Sequence, residues 1–312
     1  MAERVKAAVI GVGHLGKHHA RLLGAMDGVD LVAVADIDLD RANAAAAATG
    51  ARTTKDYREL FDAVDAVSIA VPTELHHQVA LPFLERGTGV LVEKPMARSI
   101  KEADELISAA ARGGATLLVG HTERYNPAVA AVWPLVSSPR FIEVHRLGSF
   151  PDRSLDIDVV FDLMIHDLDI ILAMVKSAVV SFEAVGVAVL TSKYDIANVR
   201  LRFENGCIAN VTASRISRER VRKIRFFQPD SYISIDYAEQ EVEGWRLVRG
   251  ADGERPGIEG GRLPVTREEP LKRELADFIG AVRDGRRPLV NGEDGRRALA
   301  LAQQIAERME SV

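Results

Sequence analysis

Val5-Lys6-Ala7-Ala8-Val9-Ile10-Gly11-Val12-Gly13-His14-Leu15-Gly16 decides the reading of the first half of the chain. Its first six residues are an apolar run closed by glycine, as in a buried strand. The next six are a G-x-G-x-x-G turn that opens into the helical spacing of 14–23. Such a turn by itself is common, but its setting is specific. A second strand over 31–35 ends in Asp36, about 20 residues after Gly16, the spacing of a dinucleotide-binding unit. Gly11 permits the tight turn, Gly13 lets backbone approach a pyrophosphate, and Gly16 lets helix and strand pack closely. The helix start that contains His14 and Leu15 offers unpaired N–H groups and a partial positive charge to phosphates. Asp36 is placed to accept from the adenosine ribose hydroxyls and to repel a 2′-phosphate, which favours NAD over NADP. Arg41, nearby in sequence, reverses that preference if it folds over the ribose.

Outward from this turn, apolar runs recur over 66–70, 90–92 and 116–119, with helical stretches over 39–49, 74–85 and 100–112 between them. Strands that are apolar throughout need helices on both faces of a parallel sheet. The spacing therefore predicts a doubly wound α/β Rossmann domain over 1–122. Beyond it the texture changes. Strands are expected over 141–146, 185–190, 198–203, 207–214, 221–227 and 232–236, several alternating apolar and polar residues, with Glu204-Asn205-Gly206 as a hairpin turn. One long helix is expected over 159–175, two closing helices over 271–284 and 295–309, and a mobile loop over 250–264. The region 123–312 reads as an α+β domain.

Composition bounds the function. The 312 residues suit two domains of about 150 residues each, and 47% hydrophobic with 27% charged residues is the balance of a folded globular protein. A net charge of −5 gives no global footprint for nucleic acid. No apolar run approaches the ~20 residues of a membrane-spanning helix, and the chain start reads as neither a signal peptide nor an anchor. Cys207 is the only cysteine, which excludes an intrachain disulfide and a cysteine-rich zinc site; no metal centre is expected, and a reducing cytoplasm is the natural compartment.

Two further motifs carry chemistry. Glu93-Lys94-Pro95 puts charge at the carboxyl end of an apolar strand, where open α/β sheets gather ligands, and Pro95 aims the turn; the bland alternative is a lysine in solvent. Asp162 and His166 stand at i and i+4 in an apolar helix, on one face. Histidine titrates near neutrality, which suits proton transfer from an alcohol. Asp162 either orients His166 or holds a substrate hydroxyl, and the pair reads equally as a helix-stabilising contact. Asp167 and Asp169 look like helix-surface acids.

Gly11 to Gly16, Asp36, Glu93-Lys94-Pro95 and the Asp162–His166 helix, in that order and at these separations, resemble the glucose-fructose oxidoreductase, inositol dehydrogenase and MocA family. The likeness covers nearly the whole chain, because Pro72, Thr73 and His76 match the family's turn near the nicotinamide and 288–302 matches its closing helix. The resemblance implies a Rossmann domain followed by an α+β domain whose large open, mostly antiparallel sheet builds homodimers or homotetramers. It also implies that Lys94 contacts the reacting hydroxyl and the nicotinamide ribose, that His166 is the general acid/base, and that Asp162 positions substrate or histidine.

For the substrate, 119–127, 162–169 and 227–232 resemble members acting on the 3-hydroxyl of a UDP-N-acetylhexosamine. Glu123, Arg124, Tyr125 and Asn126 offer donors and acceptors to a sugar, and Arg124 to a diphosphate; the same segment reads as a hinge with a capped helix. Arg215, Arg218, Arg220, Arg222, Lys223 and Arg225 against Glu219 form a basic stretch, suited to a diphosphate, a solvated strand face or a subunit contact. Three functions stay open at this point: a nucleotide-sugar dehydrogenase, a free polyol or aldose dehydrogenase such as inositol dehydrogenase, and a non-catalytic NAD(H)-binding regulator.

Overall fold

The computed structural model describes residues 4–150, 157–249 and 256–310. They fall into two compact units: one runs to Thr122 and takes in Glu269–Leu299, and the other holds Glu123–Glu268 and the chain from Ala300 onward. The assignment of 269–299 to the first unit differs from a single boundary near residue 122. A helix with a buried face goes where that face is covered, and sequence order does not dictate the place.

The first unit alternates β1 (Val5–Ile10), α1 (Gly16–Gly24), β2 (Val29–Ala35), α2 (Leu39–Ala46), β3 (Arg52–Thr54), β4 (Ala66–Ile69), α3 (Thr73–Glu85), β5 (Gly89–Glu93), α4 (Ile100–Gly113) and β6 (Leu117–Gly120). The strands pair in parallel in the order β3-β2-β1-β4-β5-β6. The central strands are buried along their length except at Lys6 of β1, which is why they lack alternation in sequence. Strand order reverses between β1 and β4, so a crevice opens beyond their carboxyl ends. β3 escapes the sequence pattern because it is three residues long and only Thr54 is buried. In α4 the Ser99 hydroxyl accepts from Glu102 N–H, and Gly114 ends the helix in the left-handed region at φ +64°.

The second unit begins with α5 (Pro127–Val132) and β7 (Phe141–Leu147), then a π-helical turn (Val160–Met164) running into α6 (Ile165–Val175). There follow β8 (Val179–Val187), β9 (Ile196–Phe203), β10 (Ile208–Ser214), β11 (Val221–Phe227), β12 (Ser231–Asp236), β13 (Glu241–Val248) and β14 (Gly257–Leu263). Their sheet has the order β14-β13-β12-β11-β7-β10-β9-β8, antiparallel except for the β7–β10 pair. Ile142, Val144, Val199, Leu201, Val211, Ile224, Phe226 and Ile233 are buried on one face; each such side chain contributes about 1.5–3 kcal/mol relative to exposure. The opposite face is polar and aromatic. The closing helices are α7 (Pro270–Asp284) and α8 (Gly292–Glu310).

Three expectations are corrected. The strand expected over 185–190 runs instead over Val179–Val187, while the N–H groups of Val189, Leu190 and Thr191 turn onto the Asp195 carboxylate. The expected loop over 250–264 contains β14, and 250–255 lie outside the described residues. As a largely exposed edge strand with three glycines, β14 has no buried face to imprint an apolar alternation. The helix over 159–175 begins as a π turn, not an α-helix. No helix among the described residues is long and apolar enough to cross a membrane.

Candidate active site

In the first unit the glycine turn has the three distinct geometries that phosphate binding needs. Gly11 has φ +83°, and a Cβ there would stand 2.8 Å from Val71. At Gly16 a Cβ would lie 1.8 Å from the Gly11 carbonyl oxygen, so only glycine lets α1 start that close to β1. At Gly13 nothing lies within 4 Å of the position a Cβ would take: that side of the loop is open. No side chain caps the start of α1 and its first turn carries no acid, which leaves N–H donors and the helix dipole to an anion. His14 and Leu15 are exposed beside this opening. The residues therefore fit the pyrophosphate of NAD.

Asp36 ends β2 and is tied to this loop. Its Oδ2 accepts from Val12 N–H at 2.8 Å and its Oδ1 from Asp38 N–H at 2.9 Å. Each carboxylate oxygen keeps a further lone pair for a ribose hydroxyl. Arg41 turns onto Asp38, 3.2 Å away.

Pro72 precedes the first turn of α3, which Thr73 opens. His76, one turn in, is 1% exposed, with Nδ1 2.9 Å from the Pro95 carbonyl and Nε2 2.9 Å from the Val71 carbonyl. The ring thus lies between the turns after β4 and β5, and in its neutral form it donates to one of the two carbonyls. Burial pushes its pKa down, against the opposing effect of the two carbonyls.

Glu93 ends β5, 6% exposed. Its Oε2 accepts from Lys94 N–H at 3.2 Å, and its Oε1 lies 3.1 Å from His19 Nε2, whose other ring nitrogen is 2.7 Å from Ser68 Oγ. Burial pushes the Glu93 carboxyl up, but His19 and then Lys94 more than offset it, so its pKa ends below the ordinary value. Lys94 itself is half-buried. The Glu93 carboxylate is thus a buried support for the Lys94 turn.

In the second unit Asp162 and His166 are both half-buried. Asp162 lies in the π turn and His166 in the first turn of α6, so the simple α-helical face argument does not apply to the pair. A π turn re-aims a side chain within a helix and recurs at functional sites. The residues that follow are not surface acids. Asp167 is fully buried and holds Arg146 through two bonds of 2.6 and 3.0 Å. Asp169, 2% exposed, holds Arg124 at 2.8 and 2.6 Å. Burial raises the Asp167 carboxyl against the pull of Arg146. A buried guanidinium requires such a partner, and these partners come from distant segments, so helical spacing alone did not reveal them.

The segment 123–126 is correspondingly occupied. Glu123 accepts from Arg146 at 3.2 Å, Arg124 is spent on Asp169, and Tyr125 is 4% exposed. Asn126 caps α5 through Ala128 N–H and donates to the Tyr237 carbonyl. These bonds favour the capped-helix reading of the segment over the sugar-contact reading. The basic stretch also divides: Arg215 is buried against Asp195 at 2.8 Å, Lys223 meets Asp236 at 3.3 Å and Arg225 meets Glu143 at 2.6 Å. They do not form one free cationic patch. Asp195, which takes three backbone N–H groups as well as Arg215, is held well below the usual carboxylate range against the upward push of burial.

Sequence reasoning missed His19, Arg146 and Glu274. Glu274 had a visible mark: it shares the α7 face of Phe278 and Ala281, which is buried, and an acid on an apolar face needs a reason.

Comparisons with known proteins extend both units. Residues 5–121 match the family model described as "Oxidoreductase family, NAD-binding Rossmann fold", and residues 100–228 match "GFO/IDH/MocA C-terminal domain". The chain is 39% identical over 308 residues to a UDP-N-acetylglucosamine 3-dehydrogenase of Acidithiobacillus ferrooxidans, covering 98% of each chain. A solved structure of the enzyme of that name from that organism superimposes with a TM-score of 0.93 at 37% identity, over 99% of this chain and 98% of the other. An inositol 2-dehydrogenase of Rhizobium meliloti is 28% identical, covering 96% of this chain and 94% of its own.

Proposed function

We propose a reaction for this chain from the premise that it belongs to the GFO/IDH/MocA oxidoreductase family and is an NAD-dependent dehydrogenase acting on CH–OH groups. In the proposed reaction the 3-hydroxyl of a UDP-N-acetylhexosamine becomes a ketone. The observation that carries this reading is the 39% identity to a UDP-N-acetylglucosamine 3-dehydrogenase across 98% of each chain, through both units.

The residue roles follow the family resemblance. NAD, held by Gly11, Gly13, Gly16 and Asp36, supplies the hydride acceptor. Lys94 donates a hydrogen bond to the reacting oxygen and steadies the alkoxide character that develops there. His166 takes the hydroxyl proton, and Asp162 orients it or the sugar. Geometry in each unit supports these roles. The Lys94 backbone is fixed by Glu93, and the helix of His166 is pinned on either side of the next turn by Asp167 and Asp169.

A homodimer or homotetramer through the second-unit sheet belongs to the same reading, as does a cytoplasmic setting. On the outer sheet face the rings of Phe141 and Phe227 stand 5.5 Å apart and those of Phe227 and Tyr232 5.1 Å apart, beside Trp245 at 40% exposure. Cys207 is a buried free thiol.

NADH absorbance with UDP-N-acetylglucosamine, free N-acetylglucosamine, myo-inositol and glucose tests the substrate. Turnover is expected only with the nucleotide sugar. Comparable turnover of myo-inositol moves the assignment to a polyol dehydrogenase, and silence throughout to a regulator.

A further inference from the structure

Behind the Lys94 turn, wholly inside the first unit, lie three buried ionisable side chains from three elements: His19 of α1, Glu93 of β5 and Glu274 of α7. Glu93 accepts from Lys94 N–H on Oε2 at 3.2 Å, and its Oε1 lies 3.1 Å from His19 Nε2. Gly120 makes room for it, since a Cβ there would stand 3.0 Å from Glu93 Oε2. Glu274 is different. Its Oε2 accepts from the Thr122 hydroxyl at 3.0 Å, but its Oε1 is buried and no donor among the described residues faces it.

An ionised carboxylate in that position would be stripped of water on one oxygen and receive nothing in exchange. It would also sit in the field of Glu93 and, along its own helix, of Asp277. A neutral carboxylic acid avoids both costs, because it carries no charge to be stripped of water or to be repelled by Glu93. Burial first, and the Glu93 charge second, act on Glu274 in that same direction.

We propose that Glu274 is a positioning residue for the Lys94 turn: it remains a neutral acid at neutral pH and leaves Glu93 as the one charged carboxylate behind the turn. The two carboxyls then carry a single negative charge toward His19 and the Lys94 backbone N–H. A second charge would repel Glu93 from that bond and loosen the turn. Only the kinetic consequence rests on the reading of Lys94 as catalytic; the protonation state stands on the geometry around Glu274.

Infrared difference spectroscopy of the full chain reads the proton directly. Wild type at neutral pH should show the C=O stretch of a protonated carboxyl, shifted in D2O, that is lost in Glu274→Gln and kept in the exposed-site control Glu59→Gln. With NAD and UDP-N-acetylglucosamine, Glu274→Leu should lower kcat about tenfold while KM for NAD changes less than about threefold, as expected of a displaced catalytic turn. Glu274→Gln should recover most of that loss. If the leucine variant does not fold, the spectra of wild type and Glu274→Gln decide alone. An unchanged carboxyl band in Glu274→Gln, or wild-type kcat in Glu274→Leu, overturns the proposal. Wild-type kcat in Lys94→Met with the band still lost in Glu274→Gln overturns the catalytic reading of Lys94 and leaves the proton where it is assigned.

Discussion

Asp167 grips Arg146 through two hydrogen bonds of 2.6 and 3.0 Å, one residue beyond His166 in the same helix. Arg146 also meets Glu123 at 3.2 Å and lies 5.2 Å over the Tyr237 ring, so the β7 strand, the α6 helix and the segment after β6 share one buried cation. Breaking such a pair leaves a charge without a partner. Arg146→Ala should lower unfolding free energy by about 3–5 kcal/mol, read by urea denaturation. Arg146→Met with Asp167→Asn and Glu123→Gln, which removes both signs, should cost less.

Gly13 and Gly16 separate binding from folding. Gly13→Ala meets nothing within 4 Å, so its melting temperature should match wild type while NAD affinity falls about tenfold or more, a loss of roughly 1.4 kcal/mol. Gly16→Ala drives a Cβ to 1.8 Å from the Gly11 oxygen and should lower the melting temperature as well. Thermal scans paired with NADH fluorescence titration distinguish the two. Equal behaviour of the variants contradicts the assigned roles.

Asp36 sets cofactor choice. Its replacement by Ala removes the negative charge and the Val12 N–H bond together. The ratio of kcat/KM for NAD to that for NADP should fall at least about tenfold. Steady-state kinetics with the two cofactors checks this, and an unchanged ratio contradicts the assignment.

His76 gives the first unit a pH signature. Burial lowers its folded pKa below the ordinary 6.5, so between the two values the unfolded chain binds more protons and stability rises with pH. The contribution is present above pH 6.5 and is lost as pH falls toward the lowered value. Denaturant midpoints should therefore drop on acidification through that window more steeply in wild type than in His76→Gln. Parallel curves would contradict a buried neutral imidazole.

What was legible in the sequence followed local physics. The strand ending at Gly11, the helix from Gly16 and the acid at Asp36 lie within one supersecondary unit, and spacing encodes them. The buried partners are non-local. Asp167 and Asp169 look like exposed helix acids until Arg146 and Arg124 arrive from other elements, and Glu274 acquires its meaning only when α7 folds back beside Glu93. The π turn at Asp162 likewise follows from packing, because its residues carry an ordinary helical pattern. The edge strand β14 and its neighbour β13 lacked the buried alternation that makes a strand readable.

The central claim is hydride transfer from a nucleotide-sugar hydroxyl with Lys94 and His166 as the groups that handle the hydroxyl and its proton. NADH formation from UDP-N-acetylglucosamine, measured for wild type, Lys94→Met and His166→Ala at saturating NAD, tests it most directly. The account predicts turnover by wild type and a kcat lower by about 100-fold or more in each variant, with NAD affinity retained in His166→Ala. Near-wild-type turnover in both variants would contradict it.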